Sequence, residues 1–334
     1  MGSGQGYRLR PTAMNKRSTH NYPLWIGLIL LGLFLLVALF GPRLAPHDPV
    51  AVITDVFRIG GRAYIPSVQP VPPLTVDQFI LGTDIGGRDL FSRLLWAVRP
   101  TLILCFIIAA LRIVLGVVLG LAAGWFGGTV ARAIEILIDV SLAVPILLFA
   151  LAVISFAGDH GLRTFIVALV TTGWAGTAVF VRNGTLLIKK EPYIDGARAL
   201  GASPGRILGR HVLPQLWPAL PALISFELAA TLLVIGELGF LGLFIGEAFV
   251  IMGASGEINE TAIGLTANYP ELAQMMSNFW SKMIRTPWEV VFVGLAVFLL
   301  IFAFNMLGEG LRRQMDVTRS RGWRWRRRPI VGAE

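Results

Sequence analysis

Apolar residues gather in six long runs, approximately 24–40, 101–123, 134–157, 165–181, 216–244 and 290–307, and most of the charge lies between them. A bilayer core of about 30 Å needs about 20 predominantly apolar residues per helix, so each run predicts a membrane-spanning helix. The fifth run is long enough to tilt, break or include a piece that does not span. Between the first two runs, Pro42, Pro46, Pro49, Pro66, Pro70, Pro72 and Pro73 exclude a sustained helix before Leu81. From Arg88 the pattern changes. Leu90, Leu94 and Val98 recur every four residues, with Phe91 and Leu95 beside them, which predicts a short amphipathic helix lying in the interface ahead of the second span.

The segment between the fourth and fifth runs follows helical rules of its own. Pro192 suits a first helical turn and Gly201 the left-handed position that ends a helix, so a helix of two to three turns closes near Leu200. Ser203 and Pro204 then offer an N-cap and a first turn for a second short helix running toward Arg210, and Pro214 marks the start of the fifth span. Helices this short are marginal alone and need a surface that buries their apolar face. Gly196, Ala197, Ala199, Gly201 and Ala202 permit close approach, while Arg198, Arg206 and Arg210 surround them with charge. Such a knuckle suits docking of a cytoplasmic protein; the same pattern also fits an amphipathic loop resting on lipid.

Composition narrows the class. Of 334 residues, 55% are hydrophobic and 15% charged, against about 25% charged in ordinary soluble domains, which argues against a disordered chain and a soluble enzyme. A lone Cys105 excludes an intrachain disulfide and a cysteine metal cluster, and His47 and His160 have no ligand-like spacing, so no metal site is expected. The net charge of +9 raises the question of nucleic acid, but position answers it. Nineteen of the 29 Lys and Arg fall on the side that holds both termini and the knuckle, which places all three in the cytoplasm. In the tail, Arg324, Arg326, Arg327 and Arg328 interleave with Trp323 and Trp325, a pattern for anionic membrane lipid rather than nucleic acid. No small-residue cleavage site follows the first run, so it reads as a retained anchor. The expected organisation is a cytoplasmic tail at 1–23, a first span at 24–41, an extracytoplasmic segment at 42–100, a transmembrane core at 101–311 with the knuckle at 190–214, and a basic cytoplasmic tail at 312–334.

Ionisable residues inside the runs cost about 2.5–3.5 kcal/mol each near the bilayer centre. Arg112 in the second run is the clearest, and Glu227 or Glu237 in the fifth is its conceivable partner. The two glutamates read either as contacts along a polar pathway or as structural ion pairs. Glu135 and Asp139 lie toward the cytoplasmic end of the third run.

Chemistry is sparse. The glycines of 201–206 lack the spacing and the Lys-Ser/Thr pair of a nucleotide-binding loop, so this chain is not expected to hydrolyse nucleotide. Gly253-Ala254-Ser255-Gly256 has the letters of a nucleophile turn, but no histidine lies in a span downstream of it, so an intramembrane protease is disfavoured. A secondary transporter or channel is the competing class; it would show inverted repeats or rows of intramembrane charge, and it would need no docking knuckle.

The knuckle resembles the EAA loop of ABC-importer permeases, with Asp195-Gly196-Ala197, Gly201, Ile207 and Leu213-Pro214 at the pattern's positions and conservative departures in its first two letters. Three more stretches resemble the dipeptide, oligopeptide and nickel branch of that family. They are Leu81-Gly82-Thr83-Asp84-Ile85-Gly86-Gly87-Arg88-Asp89-Leu90-Phe91-Ser92-Arg93-Leu94, Gly239-Phe240-Leu241-Gly242-Leu243, and Phe304-Asn305-Met306-Leu307-Gly308-Glu309-Gly310-Leu311-Arg312. Residues 249–268 look like an insertion in the last outward loop. The resemblance implies an all-α polytopic membrane protein of the MetI-like type I importer fold, in a bacterial or archaeal plasma membrane. It implies a second homologous permease, two cytoplasmic ATPase subunits that bind ATP and Mg in place of any cofactor in this chain, and an extracytoplasmic solute-binding protein. Coupling to the ATPases would fall to Tyr193, Asp195, Gly196, Ala197, Arg198, Gly201, Arg206, Ile207 and Pro214. Peptides are the favoured cargo, with nickel complexes, sugars and other solutes open.

Overall fold

A computed structural model describes residues 21–59, 62–157, 162–243, 251–252, 258–259 and 270–315. Both tails and nearly all of the 249–268 insertion, including Ser255, lie outside the described residues, as does His160. The chain is a bundle of helices. α1 spans Tyr22–Leu44, α2 Leu90–Phe126, α3 Gly128–Ala143, α4 Ile146–Ala157, α5 Leu162–Gly173 and α6 Ala175–Ile188. The knuckle helix α7 spans Pro192–Ala199, and α8 runs from Pro204 to Phe240. Short α9 (Leu272–Met276) and α10 (Phe279–Arg285) lead into α11 (Pro287–Met315).

Four of these helices, α1, α2, α8 and α11, are long and apolar enough to cross a bilayer unbroken. The third and fourth runs are each split: α3 and α4 meet at 99°, α5 and α6 at 40°. Counting each bent pair as one span restores the six expected from hydropathy. Pro145 explains the first break, since its ring clashes with the preceding turn and it lacks the N–H that would serve the Ser141 carbonyl.

Two expected boundaries are absent. The amphipathic stretch from Leu90 is not a separate helix but the first turns of α2, which continues through Pro100 to Phe126. Asp89 starts it, its carboxylate accepting from the N–H groups of Phe91 and Ser92. Likewise the second knuckle helix does not stop near Arg210. It passes through a π-turn at Leu208–Val212 and a tight turn at Trp217–Ala219 into the fifth span. Those local changes of pitch absorb Pro214, Pro218 and Pro221, whose missing N–H groups would break a regular helix.

Close backbone approach holds the bundle. Gly116, Gly120 and Gly124 form one stripe of α2 against α6, where a Cβ on Gly120 would stand 2.6 Å from the Ala178 carbonyl oxygen. Small residues at four-residue spacing permit such contact between membrane helices. α1 and α11 meet in the same way, and Asn21 Nδ2 donates to the Gly310 carbonyl at 2.7 Å.

Outside the spans, the glycine-rich stretch before α2 folds into a buried polar knot. Asp84 pairs with Arg88 at 2.8 Å and Arg93 at 3.2 Å, and accepts from the N–H groups of Gly86 and Arg88. Glu289 of α11 pairs with Lys282 at 2.8 Å and accepts from the Ile85 N–H, stapling the knot to the last span. Burial pushes the Asp84 carboxyl up, but the guanidiniums of Arg88 and Arg93, the Arg88 N–H and the Lys282 ammonium together hold it below its ordinary value.

Candidate functional site

The knuckle forms by local rules. Gly201 adopts φ +77°, and the Ala202 and Gly201 N–H groups donate to the carbonyls of Ala197 and Arg198 at 3.0 and 2.9 Å. This paired closure is the Schellman arrangement, which needs a residue that tolerates a left-handed backbone. Ser203 occupies the N-cap position of α8 but makes no side-chain cap; its carbonyl accepts from the Ile207 N–H at 3.0 Å.

The knuckle's inner face is satisfied within the chain. Ile194 and Ile207 are fully buried with Val181, Ile188, Val212, Leu216 and Trp125, the last from the end of α2. Trp125 is also the electrostatic anchor. Arg198 lies 5.1 Å and Lys189 5.6 Å from its ring centroid, and Lys189 Nζ donates to its carbonyl at 2.6 Å. Tyr193 Oη accepts from Gln215 Nε2 at 2.5 Å, tying α7 to α8. Thus α7 is bound at once to the ends of α2 and α6 and to the base of α8.

The outer face is left uncovered. Asp195, Gly196, Arg198, Gly201, Arg206 and Pro214 are exposed, Ala197 is half-buried, and Leu200 is 90% exposed. Arg198 meets Asp195 at 3.2 Å, an exposed pair of small energetic weight. A leucine with almost its whole side chain in the open therefore stands beside small residues and arginines, on a helix fixed from behind. Sequence reasoning missed Trp125, Lys189 and the α2 glycine stripe; the four-residue spacing of Gly116, Gly120 and Gly124 was the available signal.

The second candidate cluster is intramembrane. Arg112 is fully buried and pairs with Glu227 Oε1 at 3.2 Å. Its Nε donates to the Leu169 carbonyl at 2.6 Å and its Nη1 to Thr231 Oγ1 at 3.1 Å. One side chain therefore ties α2, α5 and α8 together. Gly173 makes room for it, since a Cβ there would sit 2.1 Å from the guanidinium carbon. Glu237, two to three turns along α8, makes no ion pair among the described residues. Glu135 pairs with Arg182 across α3 and α6.

Four unbroken apolar helices, two bent pairs that can each make one further span, and a knuckle displayed at one end define a multi-pass helical membrane protein. The chain belongs to the binding-protein-dependent transport system inner membrane component family, matched over residues 116–317; residues 16–58 match the N-terminal TM domain of oligopeptide transport permease C. It is the permease subunit of an ABC importer, a class that works with ATPase and binding-protein partners. It is 33% identical to the glutathione transport system permease protein GsiD of Pectobacterium atrosepticum over 71% of each chain. It is 30% identical to the dipeptide transport system permease protein DppC of Bacillus subtilis, over 87% of this chain and 80% of that one. The MetNI methionine ABC transporter, in an inward-facing conformation, superposes over 65% of this chain and 94% of its own at TM-score 0.47 and 19% identity.

Proposed function

We propose that this permease pairs with a second, homologous permease to form the path for peptides released by a binding protein, driven through its knuckle by two ATPase subunits. Relatives named for dipeptide and glutathione transport support a peptide cargo. The distribution of Lys and Arg supports cytoplasmic termini and a cytoplasmic knuckle. ATP and Mg belong to the ATPase subunits, which close on nucleotide and carry the docked knuckles with them.

The observation that carries this reading is the continuity of the knuckle with the bundle. α7 is clamped to Trp125 and joined by one tight turn to α8, which runs without a break through the π-turn into the fifth span. Displacement of α7 is therefore delivered to α2, α6 and α8 together. Asp195, Gly196, Ala197, Gly201, Arg198 and Arg206 shape the docking face, while Tyr193, Ile207 and Pro214 hold it in register. An ATPase shifts the permeases between two packings only as far as it binds one better than the other.

The test is a Leu200→Cys variant in a Cys105→Ala background, within the complex reconstituted with its partner subunits. A thiol cross-linker should join position 200 to the ATPase, and uptake of labelled dialanine should require ATP and both ATPase subunits. Uptake without the ATPases, or an outward-facing position 200, overturns the reading.

A further inference from the structure

Most of the ionisable groups carried by the spans are accounted for: Arg112 with Glu227, and Glu135 with Arg182. Glu237, half-buried on α8, and Asp139 are not. Asp139 is the exposed one: it stands on α3 and makes no hydrogen bond or ion pair among the described residues. Its neighbours on the uncovered side of that helix are apolar: Ile136 and Val140 are each 56% exposed. The next basic residue along the helix, Arg132, lies two turns away toward the knuckle, about 10 Å along the axis at 1.5 Å per residue.

Depth makes this carboxylate informative. α3 begins at Gly128, two residues beyond the end of α2, where Trp125 meets the knuckle. Asp139 stands about 16 Å further along the helix axis, inside the third apolar run. A carboxylate at that depth is strongly disfavoured against lipid. One turn beyond it the helix breaks: Ala143, Val144 and Pro145 are all exposed, and Pro145 leaves the Ser141 carbonyl without its helical donor. Irregular backbone at membrane depth is tolerated where it is buried in protein or borders water. A packed subunit would have to bring one donor for the carbonyl and another for the carboxylate, whereas water satisfies both the broken backbone and the free carboxylate.

We infer that the Asp139 face of α3 lines the aqueous cargo path, and that the Asp139 carboxylate is a way-station for a cationic group of the cargo. Resting on the peptide reading above, that group is the free ammonium at a peptide's N-terminus. A mid-path carboxylate in a largely apolar wall attracts an ammonium without holding it as a deep binding site would, because water still solvates both charges. Glu227 on α8 is unsuited to the role, its charge being taken by Arg112.

Two measurements on the assembled complex decide the matter. In a Cys105→Ala background, Asp139→Cys should react with a water-soluble trimethylammonium methanethiosulfonate at least about tenfold faster than Val114→Cys on the exposed apolar face of α2. Equal, slow reaction at both positions overturns the aqueous path. Uptake of labelled dialanine should fall about tenfold in Asp139→Asn, and Asp139→Glu should restore it in part. The second permease and the ATPases should co-purify with Asp139→Asn as with the unsubstituted chain. Wild-type uptake in Asp139→Asn overturns the ammonium role, and loss of the second permease shows that Asp139 is instead an intersubunit ion pair. If the unsubstituted complex imports no dialanine, the peptide reading fails and the ammonium role with it, while thiol reactivity still reports whether the face is wet.

Discussion

Replacing Gly201 isolates the knuckle's turn from every other source of stability. A side chain at this position meets no atom within 4 Å, so there is no clash to relieve. The cost lies in the backbone alone: φ is +77°, and an L-residue with a Cβ held there loses roughly 1–2 kcal/mol. A β-branched residue stands at the upper end of that range. The figure corresponds to about a 5–30-fold shift between the closed turn and an opened one. It falls on an eight-residue helix that has little stability of its own. In the reconstituted complex, ATP hydrolysis and cargo uptake should be measured together for Gly201→Asn, Gly201→Ala and Gly201→Val. Asn accepts the left-handed region and should leave uptake nearly intact; Ala should reduce it, and Val most. Membrane insertion and yield should not change, because the spans do not depend on this turn. Uptake by Gly201→Val equal to that of the unsubstituted chain refutes the reasoning, as does an equal loss from Asn and Val.

Other perturbations address separate links. Trp125→Leu removes the ring shared by Arg198 and Lys189, contacts worth about 0.5–1 kcal/mol each; more ATP should be spent per cargo molecule, and an unchanged ratio contradicts the clamp. Glu227→Gln leaves Arg112 buried without its counter-charge, at a cost of about 3–5 kcal/mol. Protein level and melting temperature should drop, and the double substitution Arg112→Met with Glu227→Met should recover much of the loss; a double variant no better than the single excludes the pair as the cause. Because the Asp84 carboxyl sits below its ordinary value when folded, its stabilisation is complete above about pH 4 and is lost as pH falls through the folded value. Melting in detergent between pH 7 and 3 should therefore show an acid slope that Asp84→Asn reduces, along with lower stability at neutral pH. An identical slope in both proteins assigns the acid sensitivity elsewhere.

Local patterns were legible wherever the governing interaction is local. The apolar runs announce spans because lipid solvates each helix separately, and Pro192 with Gly201 bounds α7 because capping involves only near neighbours in sequence. Proline shows where such legibility stops. Pro145 breaks its span by 99°, whereas Pro214, Pro218 and Pro221 are absorbed into one continuous α8. The residue type is the same; neighbouring turns decide whether a π or tight turn can take up the missing hydrogen bond. The bend between α5 and α6 contains no proline at all and adjoins Gly173, the residue that makes room for the Arg112 guanidinium.

The sequence by itself determined the class of molecule: a polytopic membrane protein built on six apolar runs, with a short capped helix between the fourth and the fifth. Tertiary structure alone decided which acid serves Arg112, how the knuckle is clamped, and which carboxylates are left over. Glu227 and Glu237 look alike along the chain, yet only one stands opposite Arg112. Trp125 reads as one more interfacial aromatic until Arg198, from a distant segment, lies over its ring. Pairings of this kind depend on how helices are rotated and staggered against one another, and those quantities are set by the whole packed bundle rather than by any stretch of it.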